Sequence, residues 1–274
     1  MKRVVAITGA SQGMGLAAAK LFAQRGWVVY GGARRVEKIP TEGIHALSLD
    51  VTQAKSNQEF VAQILEREGR IDVLINNAGY GEYGPLEETP LEKARKQFET
   101  NLFGAAHLAN LVLPTMRAQG SGRIINISSI GEDVFTPLGG WYHATKAALR
   151  RWSNVLDLEV RPFGVRSLVV QPGGTQTDWG RIALENAETN SKPGSPYADL
   201  VQAIRGLFSG DSPVASATSE DLAEVFYRAA TDPKPRYAYF HGTGDRLMAR
   251  LARVHPKLWI RLAGVLLARA RRVK

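Results

Sequence analysis

Two periodicities alternate along the chain. Short apolar runs rich in β-branched residues at Val4–Thr8, Val28–Gly32, Ile44–Leu49, Val73–Asn76, Arg123–Ser128, Val165–Gln171 and Arg236–Phe240 predict strands. Between them, stretches of helical period at Gly13–Gln24, Lys55–Glu68, Leu91–Met116, Trp141–Val160 and Ser219–Ala230 predict helices. Strands recurring between helices pair in parallel through right-handed crossovers. The expected fold is α/β: a single doubly wound parallel sheet of Rossmann type, with helices on both faces. Two stretches leave the alternation. Residues 186–216 are rich in Pro, Gly and Ser and follow the last main strand, so they are expected to cover a site within a domain spanning 1–240. Residues 241–274 are expected to form a helical extension of that domain.

The first predicted strand runs into Thr8-Gly9-Ala10-Ser11-Gln12-Gly13-Met14-Gly15, which opens the first predicted helix. Glycines let the backbone turn tightly and approach a pyrophosphate. The helix start offers unpaired N–H groups and a positive dipole end. A strand–glycine turn–helix at this point predicts a dinucleotide site. The end of the second strand decides which dinucleotide. A carboxylate there would hold the ribose 2′-hydroxyl and repel a 2′-phosphate. This chain has Gly31-Gly32-Ala33-Arg34-Arg35 instead. The planar guanidinium of Arg34 suits a phosphate, and Arg35 is placed to assist, so NADP(H) is expected. Asp50 and Val51 end the third strand at the ligand edge, where the carboxylate can accept from adenine or cap the next element.

Tyr142 and Lys146 are four apart on a predicted helix and project from one face. An ammonium beside a phenol favours the phenolate and lowers its pKa. Ser129 lies thirteen positions before the tyrosine, and Ser128 is its neighbour. Successive residues at a strand end point oppositely, so only one of the two serines can face the tyrosine.

With these residues the chain resembles the short-chain dehydrogenases/reductases, over residues 3 to about 180 and more loosely to 240. Thr8, Gly9, Gly13 and Gly15 match their glycine motif. Asn76-Asn77-Ala78-Gly79 matches their Asn-Asn-Ala-Gly motif. Asn101, Ser129, Tyr142 and Lys146 match their catalytic positions, and Pro172-Gly173 through Thr177 matches the segment beside the nicotinamide. The resemblance implies interconversion of a ketone or aldehyde with its alcohol. Tyr142 would exchange the proton and Ser129 would orient the carbonyl oxygen. Lys146 would lower the phenol pKa and bind ribose hydroxyls, and Asn101 would hold a water for proton resupply. Ser11, Gln12, Met14, Asn77, Ala78, Gly79, Pro172, Gly173, Thr175 and Thr177 would line the cofactor. The family also implies a homodimer or homotetramer, built through the helices at Leu91–Met116 and Trp141–Val160. A weaker likeness points to its 17β-hydroxysteroid and retinol dehydrogenase branch.

Tyr80, Glu82, Phe135, Leu138, Trp141 and Trp179 follow these motifs and are candidate substrate walls. Their aromatic and apolar character suits a largely apolar carbonyl compound. His143, inside the Tyr-x-x-x-Lys segment, is expected to point away from Tyr142 as a structural residue. Two alternatives stay open: a non-catalytic NADPH-binding or membrane-associated interaction protein, and a 3-oxoacyl thioester as substrate. A sugar-nucleotide epimerase shares Tyr-x-x-x-Lys, but this glycine spacing and the absence of a large C-terminal substrate domain disfavour it.

The chain has no cysteine among its 274 residues, so disulfides and thiol chemistry are excluded. The five histidines show no metal-ligand spacing. No leader and no 18-residue apolar run are visible, and a cytoplasmic protein is expected. The net charge of +9 sits mostly in one place: residues 241–274 hold nine Lys/Arg against Asp245. There Arg246, Arg250, Arg253, Lys257 and Arg261 interleave with Leu247, Leu251, Val254, Leu258 and Leu262, with Pro256 starting a second segment. The pattern fits helices packed on the body with a solvated basic face, or helices lying on an anionic membrane surface. No nucleic-acid module accompanies it.

Overall fold

The computed structural model describes residues 2–208 and 215–270. Seven parallel strands form the central sheet: β1 (Val4–Thr8), β2 (Val28–Ala33), β3 (Ile44–Ser48), β4 (Val73–Asn76), β5 (Gly122–Ile127), β6 (Val165–Val170) and β9 (Ala238–Tyr239). A separate short pair joins β7 (Gly174–Thr175) to β8 (Ala215–Ala217). The sheet order is β3-β2-β1-β4-β5-β6-β9. Chain direction across the sheet therefore reverses between β1 and β4, which is where doubly wound sheets open a ligand crevice.

The strands are buried on both faces, and alternate residues serve separate cores. Val5 and Ile7 pack with Phe22 of α1 (Gly13–Gln24) and Phe226 of α8 (Ser219–Thr231). Val4 and Ala6 pack on the other side. There they meet Phe60 of α2 (Ala54–Glu68), Leu108 and Val112 of α4 (Gly104–Gln119), and Leu156 of α5 (Gly140–Val160). A capping box starts α8: Thr218 Oγ1 accepts from Asp221 N at 3.1 Å, and Asp221 Oδ2 accepts from Thr218 N at 2.9 Å.

The expected single helix over Leu91–Met116 is interrupted. It consists of α3 (Leu91–Phe98), a π-helical turn over Glu99–Phe103, and α4. Such turns insert a residue into a continuous helix and frequently mark functional sites. Residues 186–216, read from composition as irregular cover, carry helices. These are α6 (Trp179–Thr189) and α7 (Ala198–Phe208), with 209–214 outside the described residues. The tail forms α9 (Thr243–Val254) and α10 (Pro256–Ala270), the proline at the first helical position where its missing N–H costs nothing. Its last four residues lie outside the described residues. No described helix is long and apolar enough to cross a membrane.

Candidate active site

The crevice begins with a tie between β1 and β4. Thr8 Oγ1 accepts from the backbone N–H groups of Asn77 (3.0 Å) and Ala78 (2.9 Å), while Asn77 Nδ2 donates to the Thr8 carbonyl at 2.9 Å. The Thr8 side chain is thus spent on bracing the turn. Gly9 and Gly13 adopt φ of +68° and +54°, the left-handed region that glycine tolerates. A Cβ on Gly15 would lie 2.4 Å from the Gly9 carbonyl oxygen, so only glycine lets α1 start this close to β1. No side chain caps α1: Gln12, at its N-cap, makes no capping bond and its Oε1 accepts from Arg35 at 2.8 Å. Ser11 and Met14 border the same turn, partly exposed. An uncapped helix start behind an open glycine turn fits a dinucleotide pyrophosphate. Arg34 is exposed at the end of β2, and its charge reaches Tyr80. Asp50 Oδ1 accepts from Thr52 N (3.0 Å) and Oγ1 (2.8 Å), so it holds its own turn, with Val51 buried beside it.

The proton-handling groups gather beyond β4 and β5. Gly79 carries no side chain where a Cβ would stand 3.1 Å from Asn101 Oδ1 and 3.6 Å from Lys146 Nζ. Asn101, in the π-helical turn, accepts from Tyr80 N (3.1 Å) and donates to Tyr80 O (3.0 Å) and Thr145 Oγ1 (3.1 Å). Lys146 Nζ donates to the Ile127 carbonyl at 2.7 Å. Beneath lies a buried polar network, in which Asn76 donates to Asn126 at 2.9 Å and Asn126 to Ser153 at 3.0 Å. Ser129 Oγ accepts from Gly131 N at 2.9 Å and donates to the Pro172 carbonyl at 3.4 Å, and its hydroxyl is near enough to the Tyr142 phenol to favour the phenolate. Ser128 turns away, donating to Glu132 Oε2 (2.5 Å) and the Lys146 carbonyl (3.1 Å), as the alternation at a strand end requires.

Burial pushes the Tyr142 phenol up to about 12, against the pull of Ser129. Burial lowers Lys146 to about 8. The expected lowering of the phenol by the lysine is not met in this arrangement. Lys146 Nζ stands 5.9 Å from the tyrosine ring centroid and is spent on a carbonyl. Tyr142 is therefore a protonated acid across the neutral range. His143 is structural: Nδ1 lies 2.7 Å from the Gly131 carbonyl and Nε2 3.0 Å from Thr136 N. Burial lowers its pKa to about 4.

The candidate substrate walls divide. Leu138 and Trp179 pack on Tyr142, the indole at 4.9 Å between ring centroids. Tyr80 and Glu82 stay close to the site, Glu82 accepting from Asn190 at 2.8 Å. Phe135 is carried off to α10, where its carbonyl accepts from Trp259 Nε1 at 3.0 Å. Trp141 follows the helix rotation to the far side and faces Leu91, Ala94 and Phe98. Thr177 leads the cover back over the glycine turn, its Cγ2 3.8 Å from where a Gly13 Cβ would stand. Thr175 Oγ1 donates to the Gly173 carbonyl, and Pro172 O accepts from Ile130 N.

Sequence reasoning missed four residues. Tyr83 packs 5.9 Å from Tyr142, centroid to centroid. Asp245 of α9 fills the space that a Cβ on Gly173 would take. Glu132, fully buried, pairs with Arg150 at 2.9 Å and accepts from Ser128 and Gln171. Arg253 of α9 clasps the neighbouring Asp133 at 2.6 Å. No motif marks these positions, because their partners are brought in by distant segments.

Residues 3–187 match the short chain dehydrogenase family. A 3-ketodihydrosphingosine reductase from Bacteroides thetaiotaomicron is 43% identical over 200 residues, 72% of each chain. A short-chain dehydrogenase structure from Streptomyces avermitilis superposes with a TM-score of 0.80 at 32% identity, covering 96% of this chain and 98% of that one. A metagenomic short-chain oxidoreductase, solved with NADP, superposes at 0.69 with 25% identity, over 87% of this chain and 96% of that one. The chain belongs to the short-chain dehydrogenase family and is an oxidoreductase whose cofactor is a nicotinamide dinucleotide.

Proposed function

We propose that the protein is an NADP(H)-dependent reductase of an apolar, long-chain ketone, with Tyr142 as the proton donor. The observation that carries this is the convergence of Ser129, Tyr142, Lys146 and Asn101 beneath an apolar cover formed by Tyr83, Leu138, Trp179, Ala183 and Val201. When bound, the nicotinamide supplies the hydride. Tyr142 gives its proton to the carbonyl oxygen, and Ser129 donates to that oxygen as charge develops on it. Lys146, charged below about 8, would hold the ribose hydroxyls beside the nicotinamide. The long-chain reading is supported by the relative that reduces 3-ketodihydrosphingosine. NADP is supported by Arg34 and by the absence of an acid at the end of β2.

A homo-oligomer joined through α3–α4 and α5 accompanies this reading. Leu91, Phe103, Val155 and Leu158 expose apolar side chains on those helices. The cysteine-free composition suits a cytoplasmic setting.

The test is a panel of long- and short-chain ketones with NADPH and NADH, read by loss of the reduced-nicotinamide absorbance. Long-chain 3-ketones with NADPH should give the highest kcat/KM. Arg34→Asp should raise KM for NADPH about tenfold to a hundredfold, as loss of a charge-assisted phosphate contact implies, and favour NADH. Unchanged NADPH selectivity would refute the role of Arg34.

A further inference from the structure

The tail helices are docked by one side and bare on the other. On α9, Ala249 and Ala252 are buried, and Arg253 reaches Asp133. On α10, Trp259 donates to the Phe135 carbonyl, Ala263 borders a cavity of about 630 Å³ behind the loop at 131–137, and Leu267 joins the cluster over Tyr142. The opposite faces carry the feature that this docking does not use. Leu247 and Val254 lie seven apart on α9, and Leu258, Leu262 and Val265 are spaced four and three on α10, each set on one outward face. Their exposures run from 41% at Leu262 to 69% at Leu247. Exposed Arg246, Arg250, Lys257 and Arg261 flank them. Asp245 is the one acid on these two helices, and it is turned in against Gly173.

We propose that this outward face of α9 and α10 seats the protein on an anionic lipid bilayer, with both helices in the interfacial plane. Leucines and valines at the centre of a cationic rim match the boundary between acyl chains and anionic headgroups. Neither helix is long and apolar enough to span a membrane, so the contact is peripheral. A second copy of the chain is a poor occupant, since a two-fold interface would set the same arginines against each other without acids to pair them. A nucleic acid would engage the arginines but leave the apolar stripe in water. The proposal does not depend on the substrate reading. It adds to it that α10, through Leu267, touches the cover over Tyr142, so a substrate resident in the bilayer would meet that cover at the membrane.

Co-sedimentation of the full chain tests this directly, using phosphatidylcholine vesicles with and without phosphatidylglycerol. Binding is expected only when phosphatidylglycerol is present, and should weaken as salt screens the surface. Arg246→Glu/Arg250→Glu/Arg261→Glu should lower partitioning on the order of a hundredfold, from about fivefold per basic residue removed. Leu258→Ser/Leu262→Ser/Val265→Ser should also abolish it, with NADPH binding retained as evidence of folding. Absence of binding to phosphatidylglycerol vesicles at low salt would overturn the proposal, as would undiminished binding by the charge-reversed protein. So would a dimer in solution that the leucine variant dissociates, which would assign the face to a second copy.

Discussion

Tyr142→Phe loses about a hundredfold to ten-thousandfold in kcat, the range that a positioned general acid supplies, with NADPH affinity nearly unchanged. The phenol is the buried acid at the crevice, and Phe keeps the ring contacts with Tyr83 and Trp179 while removing the hydroxyl that meets Ser129. Single-turnover rates and NADPH fluorescence titration separate the two effects. A variant that keeps most of its turnover would show that another group donates the proton. The native pH profile adds a second readout. The phenol stays protonated until about 12, whereas Lys146 loses its charge at about 8. Carbonyl reduction should therefore decline as pH rises through about 8. A profile flat through that region would detach Lys146 from the reaction.

Glu132→Ala destabilises the fold by about 2 kcal/mol, because removing the carboxylate leaves the buried Gln171 amide without an acceptor, while Ser128 keeps the Lys146 carbonyl. Arg150 keeps Asp133 as partner, so the loss falls on the amide. Glu132→Gln restores an acceptor and should lose much less. The native protein should also show a pH dependence that Glu132→Gln lacks. Burial pushes this carboxyl from 4.5 up to about 7, against Arg150 and Ser128. The folded state therefore prefers the protonated form. That contribution is complete below about 4.5 and fades as pH rises through about 7. Urea unfolding of the native protein and both variants across this window measures it. Equal stability of the Ala and Gln proteins would remove Glu132 from the architecture of the site.

What was legible in the chain follows from how far each signal reaches. Strand and helix periods are local, so the alternation from Val4 to Tyr239 gave the parallel sheet, with strand ends shifted by a residue or two. The C-terminal helices and the break at Pro256 were equally local. The π-helical turn at Glu99–Phe103 was not visible, because one inserted residue barely disturbs a hydrophobic period. Helices α6 and α7 were hidden by the Pro, Gly and Ser between them, which mark turns without excluding helices on either side. At the candidate site, the motif residues came from spacing together with the family resemblance, and the fold brings Gly79, Asn101 and Lys146 to one crevice. Phe135 and Trp141 were misplaced because proximity in sequence to Tyr142 does not survive a helix rotation and a loop held by Trp259. The state of Tyr142 was misjudged for a related reason: spacing puts Lys146 on the same helix face, but burial and the Ile127 carbonyl decide what its ammonium does.

The indole of Trp179 lies on Gly81, where a Cβ would come within 2.6 Å of its ring, and against the phenol of Tyr142. It fills apolar space beside the candidate proton donor. On the substrate reading proposed above, admission would be an exchange, in which the incoming chain replaces the apolar contacts that the indole makes. Apparent affinity is scaled by the population in which the indole has already left. A short ketone cannot repay the burial of an aromatic side chain, whereas a long alkyl chain can. Under the long-chain reading proposed above, chain-length discrimination would arise from competition within the protein itself, without a measuring pocket at the far end.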